Sequence, residues 1–304
     1  MKKNVLLTGG TGFVGKELTK LLINSGYTVS ILSRTKRENT VSTFYYMWDI
    51  HKQIIEKEAV LNADYIIHLA GANIAEKPWT DKRKEEVINS REQSAQLIYS
   101  VLKQNNKKLE AFISASAIGI YGAVNGEEIC NENTAFGDDF LGLTCIKWEA
   151  AADQFEKLGI RTVKVRTGLV LGENDGFLNK LMPIFKLRLG SAVGSGKQYM
   201  PWIHVEDLCA IYLEAIVNPK MKGPYSAAIN DNTTNAVFSD TLARVYGYKI
   251  CLPNVPAFLI KMILGEMSKI VLTGRRVSSD KLEELGFHFK YFNLEKTLRY
   301  CLSK

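Results

Sequence analysis

The sequence predicts an α/β fold: a doubly wound parallel sheet with a smaller, mostly helical C-terminal part. Three observations predict it. Short apolar runs alternate with helix-period segments through the first third, a glycine-rich turn joins the first run to the first helix, and glycine-rich loops take over after about residue 172. Of the 304 residues, 46% are hydrophobic and 23% charged, which excludes disorder, collagen-like repetition and a disulfide-dense scaffold.

The elements follow in order. Val5-Leu6-Leu7 is a buried strand, and residues 16–25 set Leu18, Leu21 and Leu22 on one helical face before Gly26 ends the helix. Strands are expected at 28–32, 44–48, 65–69, 111–115 and 162–166, with long helices at 81–104 and 143–158 as crossovers. A short helix over 178–189, a helix over 208–217 and a strand over 223–228 come next. From residue 230 onward the chain reads as mostly helical, and the apolar helix over 256–272, with Phe258, Met262 and Ile263, is expected to be packed core. The expected division is 1–172 with 202–229 as the main domain, and 173–201 with 230–304 as a smaller substrate domain.

Several functions are excluded early. No apolar run approaches the roughly 18 residues of a membrane span, and the basic start Lys2-Lys3 leads straight into a strand, so a cytoplasmic protein without a membrane partner is expected. Five scattered cysteines without a Cys-x-x-Cys pair, and four scattered histidines, support neither a disulfide frame nor a metal site. Net charge is +7, distributed as +6 over 1–109, −5 over 110–219 and +6 over 220–304, with no basic stripe, so no nucleic-acid partner is expected.

Thr8-Gly9-Gly10-Thr11-Gly12-Phe13-Val14-Gly15 contains Gly10-x-Gly12-x-x-Gly15 between a strand and a helix. There glycines let the backbone approach a pyrophosphate, whose charge rests on the free N–H groups of the helix N-terminus. A dinucleotide-binding Rossmann domain is expected. About twenty residues on, a carboxylate would hold the ribose hydroxyls of NAD, whereas Ser33-Arg34-Thr35-Lys36-Arg37 offers cations suited to the 2′-phosphate of NADP. Asp49 is a further candidate, for the adenine edge.

These residues, with His68-Leu69-Ala70-Gly71, Ser114-Ala115-Ser116, Tyr121-Gly122 and Trp202-Ile203-His204-Val205-Glu206-Asp207, resemble the extended short-chain dehydrogenase/reductase superfamily. Ser90-Arg91, Trp148-Glu149-Ala150-Ala151, Arg166-Thr167-Gly168-Leu169-Val170-Leu171-Gly172, Leu264-Gly265-Glu266 and Gly286-Phe287 narrow the resemblance to its atypical YfcH-type epimerase branch. The resemblance implies NADP(H) held by Gly9, Thr11, Gly12, Phe13, Val14 and Gly15 at the pyrophosphate and by Ser33 and Arg34 at the 2′-phosphate. Leu69, Ala70 and Gly71 would lie on the adenosine side, with Glu86, Arg91 and Val170 near the ribose and nicotinamide.

Typical members carry a serine and a Tyr-x-x-x-Lys pair that moves a proton to or from the substrate oxygen. Counting back from Glu149 puts Leu141 at the tyrosine position and Cys145 at the lysine position, so that pair is absent. Ser116, Tyr121 and Cys145 are the remaining catalytic candidates; Cys145 also reads as a small buried helix residue, and Tyr121 as part of a structural turn. His204 and Asp207 read as the start of a helix, with Asp207 serving its first turn. Residues 72–74, Trp79, the loop 194–199 and Trp202 are expected to line the substrate pocket, with Lys197, Arg275 and Arg276 available to an anionic group.

Two functions are expected: an NADP(H)-dependent oxidoreductase or epimerase-like enzyme on a small carbonyl or sugar-like substrate, or an NADP(H)-binding regulator or scaffold with little turnover, linked by the resemblance to cell division. The sequence leaves monomer and homodimer open.

Overall fold

The computed structural model describes residues 2–173 and 176–303. Strand β1 (Asn4–Thr8) leads into α1 (Phe13–Asn24), β2 (Thr28–Ser33), β3 (Thr43–Asp49), β4 (Ile54–Ile55), α2 (Lys57–Leu61), β5 (Tyr65–His68), α3 (Asp81–Gln104) and β6 (Ala111–Ala117). Then come β7 (Asn125–Cys130), α4 (Phe140–Asp153), β8 (Arg161–Thr167), β9 (Leu169–Leu171), α5 (Phe177–Lys186), β10 (Trp202–His204), α6 (Val205–Val217) and β11 (Gly223–Ala227). The chain closes with α7 (Asn235–Val245), α8 (Ala257–Leu264), α9 (Lys269–Leu272), β12 (Gly274–Val277), α10 (Asp280–Glu283) and α11 (Leu294–Leu302).

The central sheet has the order β11-β8-β6-β5-β1-β2-β3-β4. Its first seven strands are parallel, and β4 adds a short antiparallel edge through Trp48 opposite Ile55. Strand order reverses on either side of β1, which opens a crevice at the carboxyl ends of β1 and β5. Alternate residues serve opposite faces. Val5, Leu7, Ile31 and Ile113 pack with Leu18, Leu22, Leu208 and Ile211 of α1 and α6, whereas Leu6, Ile66 and Phe112 pack with Ile98, Leu102 and Phe155 on the α3 and α4 side. Burial on both faces is why these strands read as continuous apolar runs.

A second core joins Leu178 and Phe185 of α5, Phe238 and Leu242 of α7 and Leu298 of α11 around Trp202. Trp202 is fully buried and donates from Nε1 to Asp231, so it is core rather than pocket wall. Asp207 does not serve its own helix turn: it accepts from the backbone N–H groups of Lys290 and Tyr291 at 3.0 and 2.9 Å, while His204 caps α6 by accepting from Glu206 N.

Several helix expectations change, and those over 16–25 and 208–217 begin three residues earlier, at Phe13 and Val205. The helix expected over 143–158 begins at Phe140, where the Asp139 side chain accepts from Leu141 and Gly142 N, and its last turn, Gln154–Leu158, tightens to a 3-10 form. The helix expected over 178–189 ends at Lys186. The helix expected over 256–272 breaks at Gly265, whose φ is 57°, and none of the residues of α8 is buried. Phe258, Met262 and Ile263 are 66, 74 and 73% exposed, so this segment is surface and not core.

Candidate functional site: a dinucleotide crevice

The phosphate loop is built by close backbone approach. Gly9 takes φ 69°, its carbonyl accepts from Gly12 N at 3.0 Å, and a Cβ on Gly15 would lie 2.3 Å from that same oxygen. Gly12 then starts α1 with no side-chain cap and no acid in the first turn. The result is a cradle of backbone donors at a positive helix end, a fit for a pyrophosphate. Phe13 turns outward from this loop toward the one after β9: a Cβ on Gly172 would lie 2.5 Å from its ring, and one on Gly176 3.4 Å away. Phe13, Val14 and Val170 are each partly buried against the same apolar core.

At the end of β2 the Ser33 hydroxyl donates to Thr35 O at 2.7 Å and accepts from Thr35 N at 3.2 Å. This tight turn turns Arg34 and Lys36 out to solvent beside Arg37, whose guanidinium lies 5.9 Å from the Tyr45 ring centre. Asp49 is engaged with the Lys52 backbone at 3.0 Å and stays a loop carboxylate.

The Leu69-Ala70-Gly71 segment is fixed by a buried imidazole. His68 bridges the Thr8 hydroxyl at 2.9 Å and the Ser94 hydroxyl at 3.0 Å, and Thr8 also accepts from Ala70 N at 3.0 Å. Complete burial drives the His68 pKa down to about 4, so it is neutral at physiological pH. Arg91 rises from α3 against this segment: a Cβ on Gly71 would lie 2.9 Å from its Cζ. Its Nη1 donates to Ala72 and Val87 carbonyls, its guanidinium stacks 4.5 Å from Trp148, and its buried Nε has no partner. Burial lowers the Arg91 pKa to about 10, which still leaves it charged at neutral pH. A buried cation bonded only to carbonyls is a fit for an anionic or hydroxyl-rich ligand in the crevice. Glu86, by contrast, is half-exposed and engaged with Arg83 at 2.8 Å, and none of its hydrogen bonds reaches the phosphate loop.

The three catalytic candidates lie where β6 meets α4. Ser116 donates to Glu149 at 2.7 Å, Arg166 grips both Glu149 oxygens at 2.8 and 3.0 Å, and Arg166 also donates to the Tyr121 hydroxyl at 3.2 Å. Tyr121 in turn meets Ser226 at 3.2 Å. All of these side chains are buried. Burial opposes the Arg166 charge, but the Glu149 carboxylate more than offsets it and raises its pKa; burial also raises that of Tyr121. Cys145 sits beside Gly119 and Leu141, and burial pushes its thiol up to about 12. The corner therefore holds a neutral thiol, a leucine and a closed ion-pair network.

This network was legible only in part. Arg166 closes the strand Thr162-Val163-Lys164-Val165-Arg166, where a buried cation needs a carboxylate, and the Trp148-Glu149 run supplies it. Sequence reading also missed two contacts across the crevice mouth: Lys84 of α3 pairs with Glu266, and Lys180 of α5 donates to Ala75 O. Trp79 packs edge-on to Phe140 beneath them, its indole donating to Ile74 O. A surface hollow of about 550 Å³ between α3 and α4, lined by His51, Asn89, Glu92, Gln96, Lys147 and Gln154, contains none of the candidate residues.

Sheet order, glycine cradle and crevice together define an NAD(P)-binding protein of the atypical short-chain dehydrogenase/reductase type. The comparisons narrow this. Residues 5–228 match the NAD dependent epimerase/dehydratase family, and residues 255–301 match a domain of unknown function, DUF1731. The chain belongs to the NAD-dependent epimerase/dehydratase family. It is 34% identical to the epimerase family protein YfhF of Bacillus subtilis over 99% of this chain and 98% of that one. It is 35% identical to the epimerase family protein SAR0825 of Staphylococcus aureus over 99% and 100%. The solved human epimerase family protein SDR39U1 with NADPH superposes with a TM-score of 0.87 at 27% identity, over 99% of both chains.

Proposed function

We propose that this protein uses NADP(H) rather than NAD(H), as an oxidoreductase or epimerase-like enzyme acting in the cytoplasm on a small carbonyl or sugar-like substrate. One observation carries the cofactor choice: the turn after β2 presents Arg34, Lys36 and Arg37 with no carboxylate before Glu38. The NADPH in the human relative's structure agrees with it. When bound, NADP(H) supplies or accepts a hydride. Gly9, Thr11, Gly12, Phe13, Val14 and Gly15 hold the pyrophosphate, Ser33 and Arg34 the 2′-phosphate, and Leu69, Ala70 and Gly71 the adenosine side. Arg91 holds the ribose nearest the reacting ring, with Val170 on the opposite wall and Glu86 at the rim.

Proton handling must differ from the usual tyrosine and lysine pair. With Leu141 apolar and Cys145 protonated, the candidate hydroxyls at the corner are those of Ser116 and Tyr121, and both are committed to the Glu149–Arg166 pair. That commitment favours a second reading, an NADP(H)-binding regulator with little turnover. Fluorescence titration with NADPH and NADH, followed by turnover against aldehydes, ketones and quinones, decides between them. NADPH preference with turnover that Ser116→Ala diminishes supports the enzyme; tight binding without turnover supports the regulator; failure to bind NADPH refutes both.

A further inference from the structure

Seven of the large apolar side chains left exposed among the described residues belong to one lobe. Ile184, Leu187 and Leu189 end the α5 segment, Leu252 precedes α8, and Phe258, Met262 and Ile263 lie on α8 itself. The two stretches run side by side. The Arg188 guanidinium lies 6.0 Å from the Tyr248 ring centre, Ser191 Oγ donates to Pro253 O at 2.9 Å, and Gly194 N donates to Val255 O at 2.8 Å.

Charge is distributed in a second, independent pattern on the same lobe. Residues 176–205 and 241–265 contain no aspartate or glutamate and carry four and three cations, together equal to the whole chain's net +7. Of these seven, among the described residues, Arg244 alone is paired with carboxylates, Asp240 at 3.6 Å and Glu295 at 3.9 Å. At 100° per residue, Phe258, Lys261 and Met262 share one arc of α8, and all three are exposed. Apolar side chains beside a lysine on one exposed helix, with Lys186, Arg188 and Lys249 exposed on the stretches next to it, are the pattern of a helix lying in a headgroup plane.

We propose that this lobe seats on the surface of an anionic lipid bilayer, with α8 parallel to it, Phe258, Met262 and Ile263 entering the acyl boundary, and Lys186, Arg188, Lys249 and Lys261 meeting the headgroups. A second copy of the chain is a poor occupant, because it would set one cationic lobe against another. No helix among the described residues is long and apolar enough to cross a membrane, so the contact is peripheral. The expectation of no membrane partner rests on the lack of a spanning apolar run, which does not bear on a helix lying along a surface.

The test uses the full chain and needs no substrate. Co-sedimentation with vesicles of phosphatidylcholine alone is compared with an equimolar mixture of phosphatidylcholine and phosphatidylglycerol, at about 0.1 M and about 1 M salt. Binding is expected to the mixed vesicles at low salt, to be lost at high salt, and to be absent on phosphatidylcholine. Lys249→Gln and Lys261→Gln should each weaken it about fivefold, and Phe258→Ser with Met262→Ser at least tenfold, roughly. Unchanged thermal midpoints confirm that each variant is folded. No sedimentation with mixed vesicles at low salt would overturn the proposal and leave an acidic amphipathic protein as the lobe's occupant. Equal binding to both vesicle types, or parent-like binding of the serine variant, would overturn it too.

Discussion

Replacing Glu149 by glutamine separates a structural corner from a catalytic one. The substitution keeps the shape but removes the charge that Arg166 grips at 2.8 and 3.0 Å, leaving a guanidinium that is 1% exposed without its counter-ion. Breaking one side of a buried pair costs about 3–5 kcal/mol. With an unfolding entropy of about 2.1 cal/mol/K per residue, the 304-residue chain has a slope of about 0.6 kcal/mol per degree. Glu149→Gln should therefore lower the melting temperature by about 5–8 °C. Ser116→Ala removes one hydrogen bond to a charged group, about 1.5–3 kcal/mol, or about 2–5 °C on the same slope. Circular dichroism melts, run beside NADPH titrations, measure both. If Ser116→Ala melts within about a degree of the parent and yet loses all turnover, Ser116 faces substrate and the argument from the Glu149 bond is wrong.

Other consequences can be checked separately. Arg34→Glu should weaken NADPH by at least tenfold, roughly, while leaving NADH nearly unchanged, since only the former carries the 2′-phosphate; equal losses in fluorescence titration would remove that assignment. Native alkylation at pH 8, mapped by mass spectrometry, should modify exposed Cys251 and spare Cys145, whose thiol is held near 12; labelling of Cys145 at the rate of Cys251 would contradict its burial. For His68 the folded pKa of about 4 lies below the ordinary value of 6.5, so the unfolded chain takes up the proton first as pH falls. The stability due to its neutral form is present above about pH 6.5 and declines by about 1.4 kcal/mol per pH unit toward 4. His68→Asn should flatten that part of the pH–stability curve, and an unchanged slope in urea melts would assign the acid sensitivity elsewhere.

The parallel sheet was readable because strands buried on both faces have no polar alternation to blur them, as in Val5-Leu6-Leu7 and Tyr65-Ile66-Ile67. The phosphate loop was readable because its function is local in sequence. Strand β7 was not, because its partner β12 lies far along the chain and the pairing Gly274 with Asn125 leaves no local periodicity. Helix α8 was misread for a different reason: an apolar helix has the same periodicity whether something covers it or not. The direction of Ser116 was equally invisible, since it follows from strand alternation placing Phe112, Ser114 and Ser116 toward α4, where Glu149 waits.

Two bonds bridge the mouth of the crevice. Lys84 with Glu266, and Lys180 with Ala75 O, join the sheet side to the helical side without touching the phosphate cradle. Contacts that must part for a ligand to pass in either direction would slow arrival and departure together and leave their ratio nearly unchanged. Added salt screens the exposed ion pair and should quicken exchange in both directions: a turnstile rather than a lock.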